Sequence, residues 1–214
     1  MEKLLKGIIK FKTEDYQKYA DMFESLKDKQ QPHTLFIGCS DSRVVPTLIT
    51  KAVPGELFIV RNIANIVPPY RQADEYLGTQ AAVEYAVNIL NVENIIVCGH
   101  SNCGGCNAIL NYYTGDFKNI NSVKKWLKLG LPVLEKLKLL SINTNILTDD
   151  LLSKNMIIEQ LNILEQIKNL HTFPYIAKKH GEGKINIYGW YYIIETGDIF
   201  NYNSKKGYFE PITI

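Results

Sequence analysis

Cys39-Ser40-Asp41-Ser42-Arg43 and His100-Ser101-Asn102-Cys103 put two thiols, an imidazole, a carboxylate and a guanidinium into two short segments of a 214-residue chain. Thiolate and imidazole are zinc ligands. Structural zinc sites usually close with four protein ligands, whereas catalytic sites keep one position for water. Cys39, His100 and Cys103 make three ligands, so the pattern points to an open, catalytic metal site holding one Zn2+ per chain. Each piece alone has a plainer reading. An Asp-x-Arg pair is commonly a weak surface ion pair, and a free Cys is commonly a small buried hydrophobe. Their combination at these spacings argues otherwise. Cys103-Gly104-Gly105-Cys106 also matches a redox dithiol pattern. A metal-bound Cys103 is not free for that, so Cys106 reads as a buried residue in the first turn of a helix, and Cys98 as a core residue of the preceding strand.

The elements that must position these residues follow from hydrophobic patterning. His33 to Gly38 is an apolar run that ends at Cys39, and Asn94 to Gly99 is another that ends at His100; both read as buried strands. In open α/β sheets ligands bind beyond the carboxyl ends of strands where the strand order reverses, which lets two distant segments meet. Glu56 to Asn62 reads as a further strand and residues 74 to 91 as a crossover helix. This βαβ alternation implies a parallel sheet.

Helical patterning recurs at Asn107 to Tyr113, Ser122 to Leu140 and Leu151 to Leu170. In the last, Ile157, Leu161 and Leu164 form one stripe and Ile163, Ile167 and Leu170 another. Lys184 to Ile194 alternates as a late strand, and Thr196-Gly197-Asp198 turns it into Ile199 to Tyr202. Tyr16, Tyr19, Phe23 and Leu26 recur at helical spacing, predicting an amphipathic arm over residues 13 to 29. The expected fold class is α/β: a central, mainly parallel β-sheet flanked by helices, with an N-terminal helical arm and a late edge strand. One domain spans 1–214, with residues 1–30 as the arm.

With CSDSR, PGELFIVRNIAN, EYLGTQAAVEYAV, GHSNCGG and GWYY in view, the chain resembles a β-class carbonic anhydrase from about Gln30 to Tyr192. The resemblance implies reversible hydration of carbon dioxide to bicarbonate and a proton through zinc-bound hydroxide, with Cys39, His100 and Cys103 as ligands. It also implies catalytic roles for Asp41 and Arg43. Two thiolates donate more charge than imidazoles and make the metal less acidic, so the bound water needs help. Asp41 accepts its proton in a hydrogen bond, and Arg43 keeps Asp41 ionised and off the metal. Gln30, Phe58 and Tyr85 match pocket residues of the plant-like, open-site subclass, and the Gly104 N–H matches a donor to the bound anion. Without the resemblance Phe58 and Tyr85 read as core aromatics. Phe36 stands where a bicarbonate-gated subclass carries Trp, although Arg61 and Tyr192 match other parts of that gate. The resemblance further implies a homodimer or dimer of dimers with sites near the subunit interface.

Composition agrees with a cytoplasmic enzyme. Lys and Arg number 24 against 22 Asp and Glu, for a net charge of +2, which carries no nucleic-acid signal. MEKLLKGIIKFK lacks a long apolar signal core, no run is long enough for a bilayer, and no membrane partner is expected. Two alternatives share these features: a carbon disulfide or carbonyl sulfide hydrolase on the same scaffold, and a noncatalytic zinc-stabilised binding protein. The first differs in pocket access. The second has no use for an Asp41-Arg43 pair.

Overall fold

A computed structural model describes residues 1–72, 77–144 and 151–213. Six strands, β1 (Thr34–Cys39), β2 (Leu57–Asn62), β3 (Asn94–His100), β4 (Asn186–Tyr192), β5 (Ile199–Asn203) and β6 (Tyr208–Pro211), form one sheet in the order β2-β1-β3-β4-β5-β6. The first three pairings are parallel and the last two antiparallel. The sheet is therefore mixed but mainly parallel. The late edge is β6, which adds outside β5; its four residues, ending in Pro211, are too few to give a periodic signal.

The chain enters through α1 (Glu2–Lys10), a π-helical turn (Phe11–Asp15), α2 (Tyr16–Lys18) and α3 (Ala20–Leu26). The arm is thus helical from residue 2, eleven residues earlier than the aromatic stripe suggests. Its far end is anchored by Leu26, whose Cδ1 lies 2.7 Å from where a Cβ on Gly55 would sit; Gly55 also has φ +96°, so that turn needs glycine twice over. The remaining helices are α4 (Pro46–Thr50), α5 (Gly78–Glu84), α6 (Gly104–Leu110), α7 (Asn121–Leu127), α8 (Leu131–Thr144), α9 (Leu151–Leu170) and α10 (Pro174–Gly181). The crossover helix expected over residues 74 to 91 is α5 with a π-helical continuation over Tyr85–Ile89; residues 74–76 lie outside the described segments. The stretch from Ser122 to Leu140 is broken at a 3-10 turn, Lys128–Gly130, where a Cβ on Gly130 would collide with Ile109 at 2.3 Å.

α9 packs directly on the sheet. A Cβ on Gly99 would lie 2.8 Å from Ile163 Cδ1, so the bare backbone of β3 is what lets the helix approach. Leu35, Ile37, Ile95 and Val97 meet Ile163, Leu170 and Phe173 in the main core. A second cluster joins Cys39 and Cys103 to Cys106, Ile109, Leu127 and Ile158. The opposite sheet face carries Phe36, Ile96 and Cys98, with Trp190 and Tyr192 packed against them.

α9 also buries a polar row that the two apolar stripes do not announce. Glu159, Asn162, Gln166 and Asn169 are all buried. Gln166 accepts the Val67 N–H at 2.8 Å and donates to Asn162 at 2.8 Å, while Asn162 and Asn169 donate to the Ala64 and Val67 carbonyls at 2.9 Å each. The irregular segment 64–67 passes under the helix with its main-chain groups satisfied by side chains.

Candidate metal centre

β1 and β3 are neighbours, and the chain leaves β1 toward β2 on one side and reaches β3 on the other. Their carboxyl ends deliver Cys39 and His100 to that reversal, and the turn after β3 brings Cys103 to the start of α6. The three ligand atoms lie within 4.8 Å of one another, all buried. Cys39 Sγ and Cys103 Sγ are 4.0 Å apart, near the separation of about 3.8 Å that two thiolates take on a tetrahedral zinc.

His100 settles which nitrogen faces the ligand group. Its Nδ1 lies 2.9 Å from the Ser101 carbonyl oxygen, which only accepts, so Nδ1 carries the proton. Nε2 then presents a lone pair, and it is buried with no hydrogen-bond partner. A buried acceptor facing two thiols is a site for a cation. The residues fit zinc on this ground.

The Cys103 thiol and burial push the Cys39 thiol up to about 12. The Cys106 thiol and burial push Cys103 up as well. Without a metal both thiols hold their protons. Cys106 lies in α6 and is buried, as the first-turn reading anticipates. Cys98 is buried on β3 beside Phe36 and Ile96, and burial holds its thiol up at about 12.

Asp41 stands beside the cluster, its Oδ2 3.9 Å from His100 Nε2. Arg43 grips it by a fork: Nε donates to Oδ1 at 2.9 Å and a terminal nitrogen to Oδ2 at 2.8 Å, with the Arg43 N–H adding 3.0 Å to Oδ1. The guanidinium holds the Asp41 carboxyl well below the usual carboxylate range. Arg43 also donates to the Asn102 carbonyl at 3.1 Å, tying the two signature segments together. Arg61 on β2 donates to the Cys39 and Asp41 carbonyls at 2.9 and 2.6 Å. It therefore fixes the main chain from the ligand to the carboxylate. Gly104 opens α6 at an exposed position, with nothing within 4 Å of a hypothetical Cβ. Gly104 also lines a small pocket of about 140 Å³ with Asn102, Asn107 and Glu159.

Gln30, Phe58 and Tyr85 are not with this group in a single chain. Phe58 pairs with Leu35, four residues before Cys39, and at about 3.3 Å per residue this is some 13 Å from the ligand end. Tyr85 stacks on Phe58 with ring centroids 6.0 Å apart. Gln30 is exposed in the segment that precedes β1. All three belong to the amino-terminal end of the sheet.

Two carboxylates that the sequence reading passes over touch the ligand turn. Buried Glu159 accepts the Cys103 N–H at 2.9 Å and the Tyr191 hydroxyl at 2.7 Å. Glu195 accepts from the Ser101 hydroxyl at 2.7 Å and from the Asn102 amide. The available signal for Glu159 was an acid in helical register with Asn162, Gln166 and Asn169. Glu195 has no periodic signal.

A family model described as carbonic anhydrase matches residues 34–199. Among relatives, a carbonic anhydrase of Helicobacter pylori strain J99 is 41% identical over 207 residues, 96% of this chain and 92% of the relative. A carbonic anhydrase of Pseudomonas aeruginosa is 38% identical over 199 residues, 93% and 86% of the two chains. The solved β-carbonic anhydrase CcaA superposes with a TM-score of 0.91 at 36% identity, over 100% of this chain and 92% of that one. A tetrameric β-carbonic anhydrase of Sordaria macrospora gives a TM-score of 0.78 at 32% identity, over 94% and 95%.

Proposed function

The chain belongs to the β-class carbonic anhydrases, zinc enzymes that hydrate carbon dioxide reversibly to bicarbonate and a proton, and from that premise we propose that Cys39, His100 and Cys103 hold the zinc while Asp41 and Arg43 act on the attacking water. The observation that carries this assignment is the buried three-ligand cluster with a free His100 Nε2 and a forked Asp41-Arg43 pair at its edge. Zinc, when bound there, is a Lewis acid that makes water a nucleophile near neutral pH.

The side chains do the rest. Asp41, kept ionised by Arg43, offers Oδ2 as an acceptor for the O–H of the attacking water and so turns a lone pair toward the carbon of carbon dioxide. Arg43 uses the same fork to keep the carboxylate from becoming a fourth ligand, which would shut the site. The resting site at neutral to mildly alkaline pH is open in this reading. The Gly104 N–H, in the first turn of α6 where no intrahelical acceptor is in reach, donates to the anionic product.

Gln30, Phe58 and Tyr85 act as pocket residues only through a second copy of the chain. The expected minimum assembly is a homodimer, with a dimer of dimers built on it. No described helix is long and apolar enough to cross a membrane.

The test is zinc analysis with a carbon dioxide hydration assay on wild type, Asp41→Asn and Arg43→Ala. Wild type should carry one zinc per chain and hydrate carbon dioxide. Asp41→Asn should keep its zinc and lose about a hundredfold in rate. A zinc-replete Asp41→Asn enzyme at full rate removes Asp41 from the reaction, and a crystal structure of Arg43→Ala with Asp41 still clear of the metal removes the restraining role of Arg43.

A further inference from the structure

The turn that carries two of the three ligands is held from outside the metal centre. Asn102 has φ +54°, a left-handed conformation uncommon for a residue with a side chain. The peptide joining it to Cys103 is engaged at both ends: its carbonyl accepts from Arg43 at 3.1 Å and its N–H donates to Glu159 at 2.9 Å. The orientation of this one peptide therefore sets whether Arg43 has its second anchor.

Glu195, three residues beyond β4, reaches the same turn from another direction. One carboxylate oxygen accepts from the Ser101 hydroxyl at 2.7 Å, and the other accepts from the Asn102 side-chain amide. The Ser101 hydroxyl in turn accepts the Ile194 N–H at 2.9 Å, and the Ser101 N–H donates to the Tyr192 carbonyl at 2.9 Å. Both residues between His100 and Cys103 are thus tied to one carboxylate.

We propose that Glu195 is a positioning residue for the Asp41-Arg43 pair: by fixing Asn102 in its left-handed turn it aims the Asn102 carbonyl at Arg43 and keeps the guanidinium on Asp41. The chain of contacts is Glu195 to Asn102 by side chain, Asn102 to Arg43 by carbonyl, and Arg43 to Asp41 by fork. The inference rests on the reading of Asp41 as the group that acts on the attacking water. A carboxylate at an exposed position adds little to global stability, so its removal should act locally.

The experiment is a double-mutant cycle in the zinc-loaded enzyme, with kcat and KM for carbon dioxide measured per bound zinc. Glu195→Ala should lower kcat about tenfold with KM nearly unchanged, since a loosened reacting group costs rate rather than binding. Glu195→Gln should restore most of that loss, because its amide oxygen accepts from Asn102 and its nitrogen donates to Ser101. In an Asp41→Asn background Glu195→Ala should cost less than about twofold, as expected of two residues acting through one path.

A wild-type kcat for Glu195→Ala, or the same tenfold loss repeated on Asp41→Asn, overturns the inference while leaving Asp41 its role. A wild-type rate for Asp41→Asn overturns the reading of Asp41, and the inference falls with it. Should Glu195→Ala fail to fold, Asn102→Gly takes its place in the cycle. Glycine accepts the left-handed backbone but lacks the amide that Glu195 holds, so the same loss and the same absence of further loss are expected.

Discussion

His100 shows how a main-chain contact prepares a ligand: the Ser101 carbonyl holds the proton on Nδ1 and leaves Nε2 aimed at two thiols. Those thiols carry the pH dependence. In the metal-free chain the Cys39 thiol sits at about 12 and that of Cys103 is also raised, so zinc must displace a proton from each at neutral pH. A raised thiol pKa means that protons compete with the metal throughout the neutral range, so affinity should rise steeply from pH 6 to pH 8. Competition with a chromophoric chelator measures this, and a flat profile would contradict a two-thiolate site. The same ligand set separates the two cysteines of CGGC. Cys103→Ser should lose zinc and Cys106→Ser should keep it; equal loss from both would reassign the ligand. Cys106 belongs to the packing around Ile109 and Leu127, where its cost on substitution is one of stability.

At the scale of elements, α9 is where sequence and structure part company. Its apolar residues pack into the two cores, but it also buries a polar row that serves the main chain of residues 64–67. Gln166→Leu would strand the Val67 N–H and the Asn162 carbonyl oxygen in the core, at about 1–3 kcal/mol for each unsatisfied group. For a chain of this length the melting temperature should fall by about 4 to 15 °C; an unchanged melting curve would show that the row is not structural. Strands β1 and β3 were legible because each is an apolar run that stops at a ligand, and the ligand set was legible because strand ends at a reversal must meet. The carboxylates behind the turn were not. Glu159 looks like a solvated helix residue until α9 is laid on β3, and Glu195 acquires its partners only when the segment after β4 closes on Ser101. β6 escaped because four residues carry too little alternation.

At the scale of the molecule, one chain leaves two things unfinished. α1 buries none of its residues, and Leu4, Leu5, Ile8 and Ile9 are each more than half exposed. The stripe farther along is partly satisfied within the chain, where Tyr16 stacks on Phe23 at 5.3 Å and Leu26 packs on Gly55. An exposed apolar face therefore precedes the stripe that the sequence suggests. A contiguous apolar face of this kind marks a contact with another surface, and the proposed pocket roles of Gln30, Phe58 and Tyr85, which lie apart from Cys39 in one chain, require a second copy. A twofold pair uses the same patch on both chains, so each arm can cover its partner while each amino-terminal sheet end approaches the other's ligand end. Light scattering should give at least twice the 24.4 kDa of one chain. Leu4→Glu with Ile8→Glu should shift the protein toward monomer and reduce hydration together, without loss of zinc, because the ligands lie within each chain. A monomeric variant with full hydration would show that the pocket is complete in one chain, and an unaltered dimer would show that α1 is not what holds the pair.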